Sequence, residues 1–101
     1  MVLKSKMSAY TIRVELHSSQ YTPDFQVLHS AMENEGFSRM IKADTGKIYH
    51  LPRGEYSIFT QKDCSQVLES AKRAVKATGH TAEILVTEAL RRSWDGLSEK
   101  K

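Results

Sequence analysis

Two charged residues of the first predicted strand, Arg13 and Glu15, are the clearest candidates for chemistry. Residues 10–17 alternate apolar and polar side chains, a period-two pattern that is typical of a half-buried strand. Arg13 and Glu15 therefore share its polar face. A carboxylate on such a face can orient a water molecule or bind a divalent ion. A cross-strand ion pair, which contributes little to stability, is the alternative interpretation of Glu15.

A second candidate is His29, which follows Leu28 on the apolar stripe of the first predicted helix. A neutral imidazole near pH 7 can act as a general acid or base. The alternative is a half-buried residue at the boundary of the core. His17 and His80 lie near element ends, where histidine is commonly a surface or capping residue. No two histidines stand at i, i+4 on one helix, so their spacing predicts no metal site.

A group of basic residues surrounds the second predicted strand and its hairpin. Together with Tyr49, His50 and Tyr56 they would suit phosphate contact combined with base stacking. A solvated hairpin of mixed charge, which includes Asp44 and Glu55, explains the same residues. The basic residues of this group are Arg39, Lys42, Lys47 and Arg53.

The remaining reactive or aromatic side chains fit structural roles. Cys64 begins the second predicted helix, where a helix N-terminus can lower the pKa of a thiol, although a small core residue is the simpler interpretation. Trp94 is predicted to pack the C-terminal segment onto the domain. The sequence has no glycine-rich phosphate loop, H-E-x-x-H, G-x-S-x-G or C-x-x-C motif. It therefore assigns no cofactor.

The sequence patterns predict two main helices and four strands along the chain. The first helix would begin at Thr22 as N-cap with Pro23 next, and Gly36 would end it. Asp63 with Gln66 indicates the start of the second helix. We expect strands over 10–17, 37–43, 47–51 resumed over 55–60 after a break at 52–54, and 81–87, with a short closing helix over 89–94.

This β-α-β-β-α-β order predicts an α+β, ferredoxin-like sandwich. One four-stranded antiparallel sheet would carry both helices on one face, with the first and third strands central and adjacent. The polar face of residues 10–17 would then stay open to solvent or a partner. We expect one domain over residues 9–94, a flexible N-terminal extension over 1–8 and a flexible tail over 95–101.

The distribution of charge along the chain limits which classes of binding partner are expected. The chain has 101 residues and a net charge of +3. Segments 1–6 and 97–101 account for that excess, so residues 7–96 hold equal numbers of basic and acidic side chains. The folded part therefore lacks the overall charge that drives nonspecific nucleic-acid binding. The absence of a long apolar segment predicts no membrane span, and one cysteine is consistent with a reducing cytoplasm.

In order along the chain, several segments resemble the GhoS family, the antitoxins of type V toxin–antitoxin systems. The resemblance runs from about Tyr10 to Trp94 and is densest between Ser18 and Thr60. It is carried by Ser18-Ser19-Gln20-Tyr21, by Phe25, Leu28 and Met32, by Gly36-Phe37-Ser38, by Ile41-Lys42-Ala43-Asp44-Thr45-Gly46, and by Leu51 with Glu55-Tyr56-Ser57-Ile58-Phe59-Thr60.

The resemblance implies a ferredoxin-like fold similar to Cas2 nucleases and an endoribonuclease that cleaves the messenger RNA of a small membrane toxin. The family's acidic residue near the end of the first strand corresponds to Glu15. A basic residue on its first helix corresponds to His29, which lacks the permanent bidentate charge of an arginine. The implied reaction is phosphodiester cleavage, in which a 2′-hydroxyl or a water attacks and Glu15 or His29 handles the proton.

In that mechanism Arg13, Arg39 or Arg53 would stabilise the developing charge, and Lys42 would join them in binding RNA. A non-catalytic module that binds RNA or forms a homodimer through the open sheet face is the alternative function. A regulatory domain for a metabolite is a third hypothesis, which no residue specifically supports.

Overall fold

The order of the elements follows the sequence pattern closely. A computed structural model describes residues 6–17 and 25–101. The predicted cap at Thr22 and Pro23, and the loop before it, lie outside the described residues. The elements are β1 (Ser8–His17), α1 (Phe25–Asn34), β2 (Met40–Lys42), β3 (Ile48–His50), β4 (Glu55–Thr60), α2 (Cys64–Lys76) and β5 (Thr81–Ala89).

The strands divide into two antiparallel sheets. Three strands form one sheet in the order β4-β1-β5, and β2 pairs with β3 in the other. A single bridge between Ser38 and Ser57 joins the two sheets, with both backbone hydrogen bonds 2.8 Å long. The α+β class and the central position of β1 are thus confirmed, whereas the predicted continuous four-stranded sheet is not formed.

The break at residues 52–54 explains this division. The two predicted pieces, 47–51 and 55–60, correspond to β3 and β4, which belong to different sheets. Gly54 lies between them with φ of +88°, a conformation that side chains rarely adopt. Its carbonyl accepts a 2.7 Å hydrogen bond from the Val14 N–H. Gly54 therefore redirects the chain onto β1.

Both helices cover the same face of the three-stranded sheet, as predicted. The inward side chains of β1, from Tyr10 to Leu16, are buried at every second position. Leu28 and Met32 of α1 and Val67 and Ala71 of α2 complete this core. On β5, the inward positions Ala82, Ile84 and Val86 pack against the same core. The polar face of β1 is consequently directed away from the helices.

The predicted helix ends are confirmed where they are described. Asp63 caps α2, because its carboxylate accepts from the Gln66 N–H while the Gln66 side chain accepts from the Asp63 N–H. Gly36, with φ of +94°, ends α1. The Phe37 N–H donates to the Met32 carbonyl and the Gly36 N–H to the Glu33 carbonyl. This pair of bonds is a Schellman motif.

The C-terminal segment differs from the prediction. Residues 90–94 form no helix, so the closing helix predicted over 89–94 is wrong. β5 instead continues to Ala89, because its ladder with β1 extends to the pair Ala9–Ala89. Farther on, the His50 N–H donates to the Ser98 carbonyl and the Lys100 N–H to the Ile48 carbonyl, both within 2.8 Å. Residues 98–100 thus lie along β3.

Trp94 anchors this segment, as predicted. Its ring meets the edge of the Tyr49 ring, with a centroid distance of 5.5 Å. Within residues 6–17 and 25–101, no helix is long and apolar enough to cross a membrane.

Candidate nucleic-acid interface

The outer face of the three-stranded sheet collects side chains from three strands in regular rows. Residues directly opposite each other in antiparallel strands share a face. Arg13 is opposite Glu55 of β4 and Leu85 of β5, and Glu15 is opposite Glu83. Arg13 and Glu15 are both exposed. The prediction that they lie together on an open face is confirmed.

A shallow concavity of about 350 Å³ lies at this position. Arg13, Glu15, Glu83 and Leu85 line it together with Ile84. It brings a guanidinium and a carboxylate together on a solvent-accessible surface. A carboxylate can accept a proton, and a guanidinium can stabilise negative charge that develops on a phosphate.

Glu83 is held by a neighbour on the same face. The His17 Nε2 lies 3.2 Å from the Glu83 Oε1, and both side chains are at least half exposed. Two carboxylates directly opposite each other repel, so placing Glu15 opposite Glu83 has an electrostatic cost. The contact with His17 holds Glu83 near the end of β1, and Arg13 lies two residues from Glu15 on the same face.

His29 lies on the opposite side of the sheet from Glu15. Its side chain is 6% exposed, and its Nδ1 is 2.7 Å from the hydroxyl of the fully buried Tyr56. Leu28 and Met32 of the same helix are core residues. The structure therefore does not bring Glu15 and His29 to one site, and they cannot act on the same phosphate in this arrangement.

The surroundings of Tyr56 change its acidity. Burial raises the pKa of the Tyr56 hydroxyl to about 12, and the positive charge of Arg39 partly opposes that rise. The hydroxyl thus stays protonated at neutral pH and can donate to an unprotonated Nδ1 of His29. This contact fixes the His29 ring against β4.

The four predicted RNA-binding residues separate into different regions. Arg39 lies near Tyr56, and the Arg53 guanidinium sits 4.7 Å above the Phe25 ring. The Phe25 ring in turn is 6.1 Å from that of His29. Arg13 belongs to the open face, whereas Lys42 lies at the end of β2 beside the C-terminal segment. The structure does not gather them into one patch.

Two cationic residues that the sequence did not single out lie on the open face. Arg91 and Arg92 follow β5, and the Arg92 Nη1 donates to the Thr11 hydroxyl at 3.1 Å. Partial burial lowers the pKa of the Arg92 guanidinium, yet arginine stays charged in proteins. The adjacent Arg-Arg pair was visible in the sequence. Its position was not, because a helix was expected there.

Two further expectations concern chemistry at Cys64 and metal binding. The Cys64 side chain is exposed, so its interpretation as a small core residue is wrong. The reason is its position in the first turn of α2, where its Sγ reaches the Val86 carbonyl at 3.8 Å near the sheet surface. In the part of the chain that the structure describes, no three His, Cys, Asp or Glu side chains group as metal ligands would.

Comparison with known protein families identifies a match. The family model described as endoribonuclease GhoS matches residues 3–92, which is nearly the whole chain. No curated protein and no solved structure matches the chain.

Proposed function

The chain belongs to the endoribonuclease GhoS family, and from this premise we propose that it cleaves RNA on the open face of its three-stranded sheet. The observation that carries the proposal is that Arg13 and Glu15 are both exposed and line one concavity. The family is named for endoribonuclease activity. Single-stranded RNA fits a flat, accessible sheet face better than the core side, where both helices pack.

Glu15 takes the proton in the proposed reaction. It accepts the proton of the attacking oxygen, which is the RNA 2′-hydroxyl or a water molecule, as that oxygen forms a bond to phosphorus. The bond from phosphorus to the 5′-oxygen breaks, and that oxygen takes a proton from a solvent water molecule as it leaves. Arg13 stabilises the negative charge that develops on the phosphoryl oxygens.

His29 acts indirectly in this proposal. It is buried against Tyr56 on the helix side, so a phosphate on the open face would not meet it. Its aromatic neighbours support β4, which pairs with β1 from Ser8 to Arg13. We therefore treat His29 as a positioning residue, and the variants below test the alternative that it transfers a proton.

The substrate proposal follows the resemblance. The RNA would be the messenger of a small membrane toxin, and the protein would act as the antitoxin of a type V system. The protein should then cut toxin messenger RNA at discrete sites, and it should cleave an unrelated messenger RNA of equal length to a much smaller extent. A neighbouring short reading frame with two membrane-length apolar segments would support the same proposal.

Cleavage by purified protein tests the activity directly. Glu15→Gln should lower the cleavage rate by about 10²- to 10⁴-fold, the usual contribution of a general base. Arg13→Ala should lower it by about 10²-fold. Glu33→Gln, an exposed substitution on α1, is the matched control and should cleave normally.

The end groups of the products identify the nucleophile, because attack by the 2′-hydroxyl leaves a 2′,3′-cyclic phosphate. If His29→Asn, shown by circular dichroism to be folded, loses as much activity as Glu15→Gln, the proposed division of roles is wrong. Intact RNA at high protein concentration, with and without Mg²⁺ or Mn²⁺, refutes the cleavage proposal. RNA binding without cleavage under those conditions would favour the non-catalytic module.

A further inference from the structure

A second concave site lies on the open face, at the end of the sheet away from Glu15. Its volume is about 500 Å³. The side chains of Ala9 and Ala89, which are directly opposite each other in the β1–β5 ladder, form its floor. Because both are small, the space between the hairpin turn and the segment after β5 stays open.

Three cations and one carboxylate line this cavity. Lys42 contributes from β2, and Arg91 and Arg92 contribute from the segment after β5. Asp44, in the turn between β2 and β3, is the single acidic residue of the lining. The local charge is therefore positive although residues 7–96 are neutral in sum. Such a concentration of cations suits an anion with several oxygens.

Arg92 is held in place before any ligand arrives. Its bond to the Thr11 hydroxyl orients the guanidinium over the open face of β1. Trp94, two residues later, packs against Tyr49 and also lines the cavity. A preordered cation loses less conformational freedom when it binds a phosphate.

An exposed aromatic ring adjoins the same region. Phe59 of β4 is 65% exposed and is directly opposite Ala9 on the open face. A neighbouring concavity includes Phe59 and shares Lys42 and Arg92 with the 500 Å³ cavity. An aromatic platform next to a cationic groove is the combination with which proteins bind single-stranded nucleic acids.

We propose that this region is an RNA-holding subsite, in which Lys42, Arg91 and Arg92 bind a backbone phosphate and a base stacks on Phe59. The inference rests on the proposed function, because the ligand is the RNA strand that reaches Glu15. Ala9 and Glu15 are six residues apart on β1, or about 20 Å. The subsite therefore holds nucleotides several positions from the cut and does no chemistry.

Fluorescence anisotropy with labelled single-stranded RNA tests the subsite. The measurements use the Glu15→Gln background, and a denaturing gel verifies that the RNA stays intact. Lys42→Ala and Arg91→Ala should each weaken binding about three- to fivefold at roughly 0.15 M salt and reduce the salt slope by about 0.7. Asp44→Asn should instead strengthen binding about twofold, because it removes a repelling charge.

Three further variants separate the effect of local charge on RNA affinity from the effects of the stacking surface and of the cavity volume. Lys76→Ala removes an exposed lysine of α2 and should change neither affinity nor salt slope. Phe59→Leu keeps an apolar side chain but removes the stacking surface, so it should weaken binding roughly tenfold with no change of salt slope. Ala89→Leu should weaken binding by filling the cavity at constant charge.

The outcomes distinguish the two proposals. If the Glu15→Gln protein without further substitutions does not bind RNA, the proposed function fails and the subsite fails with it. If RNA binds but the Lys42, Arg91 and Asp44 variants all behave like Lys76→Ala, the subsite is refuted while the cleavage proposal stands. If Phe59→Leu changes the sedimentation coefficient instead of RNA affinity, the ring belongs to a contact between copies and the stacking assignment is wrong.

Discussion

Gly54 offers the sharpest test of how the chain positions the open face. An alanine Cβ at this residue would lie 2.8 Å from the Val14 carbonyl oxygen, a distance that real Cβ atoms essentially never show. The positive φ of +88° adds strain of its own. The obstacle is backbone of the central strand rather than a flexible side chain, so β1 or the 52–54 turn must move.

The expected loss of stability for Gly54→Ala combines two costs. A side chain in this φ region costs about 1–3 kcal/mol. Displacing the backbone weakens the hydrogen bond from Val14 to Gly54, which contributes about 1 kcal/mol. We therefore expect a total loss of about 2–4 kcal/mol in the free energy of unfolding.

Gly46 provides a matched control for this substitution. Its φ is +92°, almost the same as that of Gly54, but an alanine Cβ there would have no atom of the described residues within 4 Å beyond its chain neighbours. Gly46→Ala should therefore cost only the strain of the positive φ. The difference between the variants, about 1 kcal/mol or more, corresponds to roughly 4–8 °C in melting temperature for a domain of this size.

Thermal unfolding followed by circular dichroism measures both variants. Because Val14 lies between Arg13 and Glu15, Gly54→Ala should also reduce RNA cleavage under conditions where the protein is still folded. Equal melting temperatures for the two variants would refute the close approach of Gly54 to β1. Full cleavage by a destabilised Gly54→Ala protein would show that the geometry of Arg13 and Glu15 does not depend on this contact.

Other predictions address the cap, the buried tyrosine and the single tryptophan. Asp63→Ala should lower the free energy of unfolding by about 1 kcal/mol in urea titrations, because it removes the capping box of α2; an unchanged midpoint would contradict that contribution. The folded pKa of Tyr56, about 12, lies above its unfolded value of 10.0, so its stabilising contribution is complete below pH 10 and is lost as pH rises from 10 to 12. Stability of the Tyr56→Phe protein should decline less over that interval, and an identical decline would contradict the raised pKa. Trp94 is the only tryptophan and lines the cationic cavity, so RNA should change its fluorescence, whereas Arg91→Ala should shift that titration to higher RNA concentration; a spectrum insensitive to saturating RNA would argue against the subsite.

Local patterns predicted much of the fold because local interactions determine those features. The alternation over residues 10–17 specified both faces of β1, and Asp63 with Gln66 specified the start of α2. These signals depend on neighbours a few residues away. The open location of Arg13 and Glu15 followed from the same alternation.

The features that were not predicted depend on distant contacts. The break at 52–54 was predicted, but the assignment of β3 and β4 to different sheets depended on the approach of Gly54 to β1, which no local pattern encodes. The segment after Ala89 forms no helix and instead contacts residues far away in sequence, because Arg92 reaches Thr11 and Trp94 reaches Tyr49. His29 had the spacing of a boundary residue, but only the position of Tyr56 shows that its ring is enclosed.

The hydrogen bonds between residues 98–100 and β3 have a practical consequence. They cover the outer edge of the small hairpin, which would otherwise present unpaired backbone groups to other molecules. They also link the final residues to the hairpin that carries Lys42 and Asp44. A purification tag fused after Lys101 would lie close to these hydrogen bonds, so binding assays should use protein whose tag is attached elsewhere or removed.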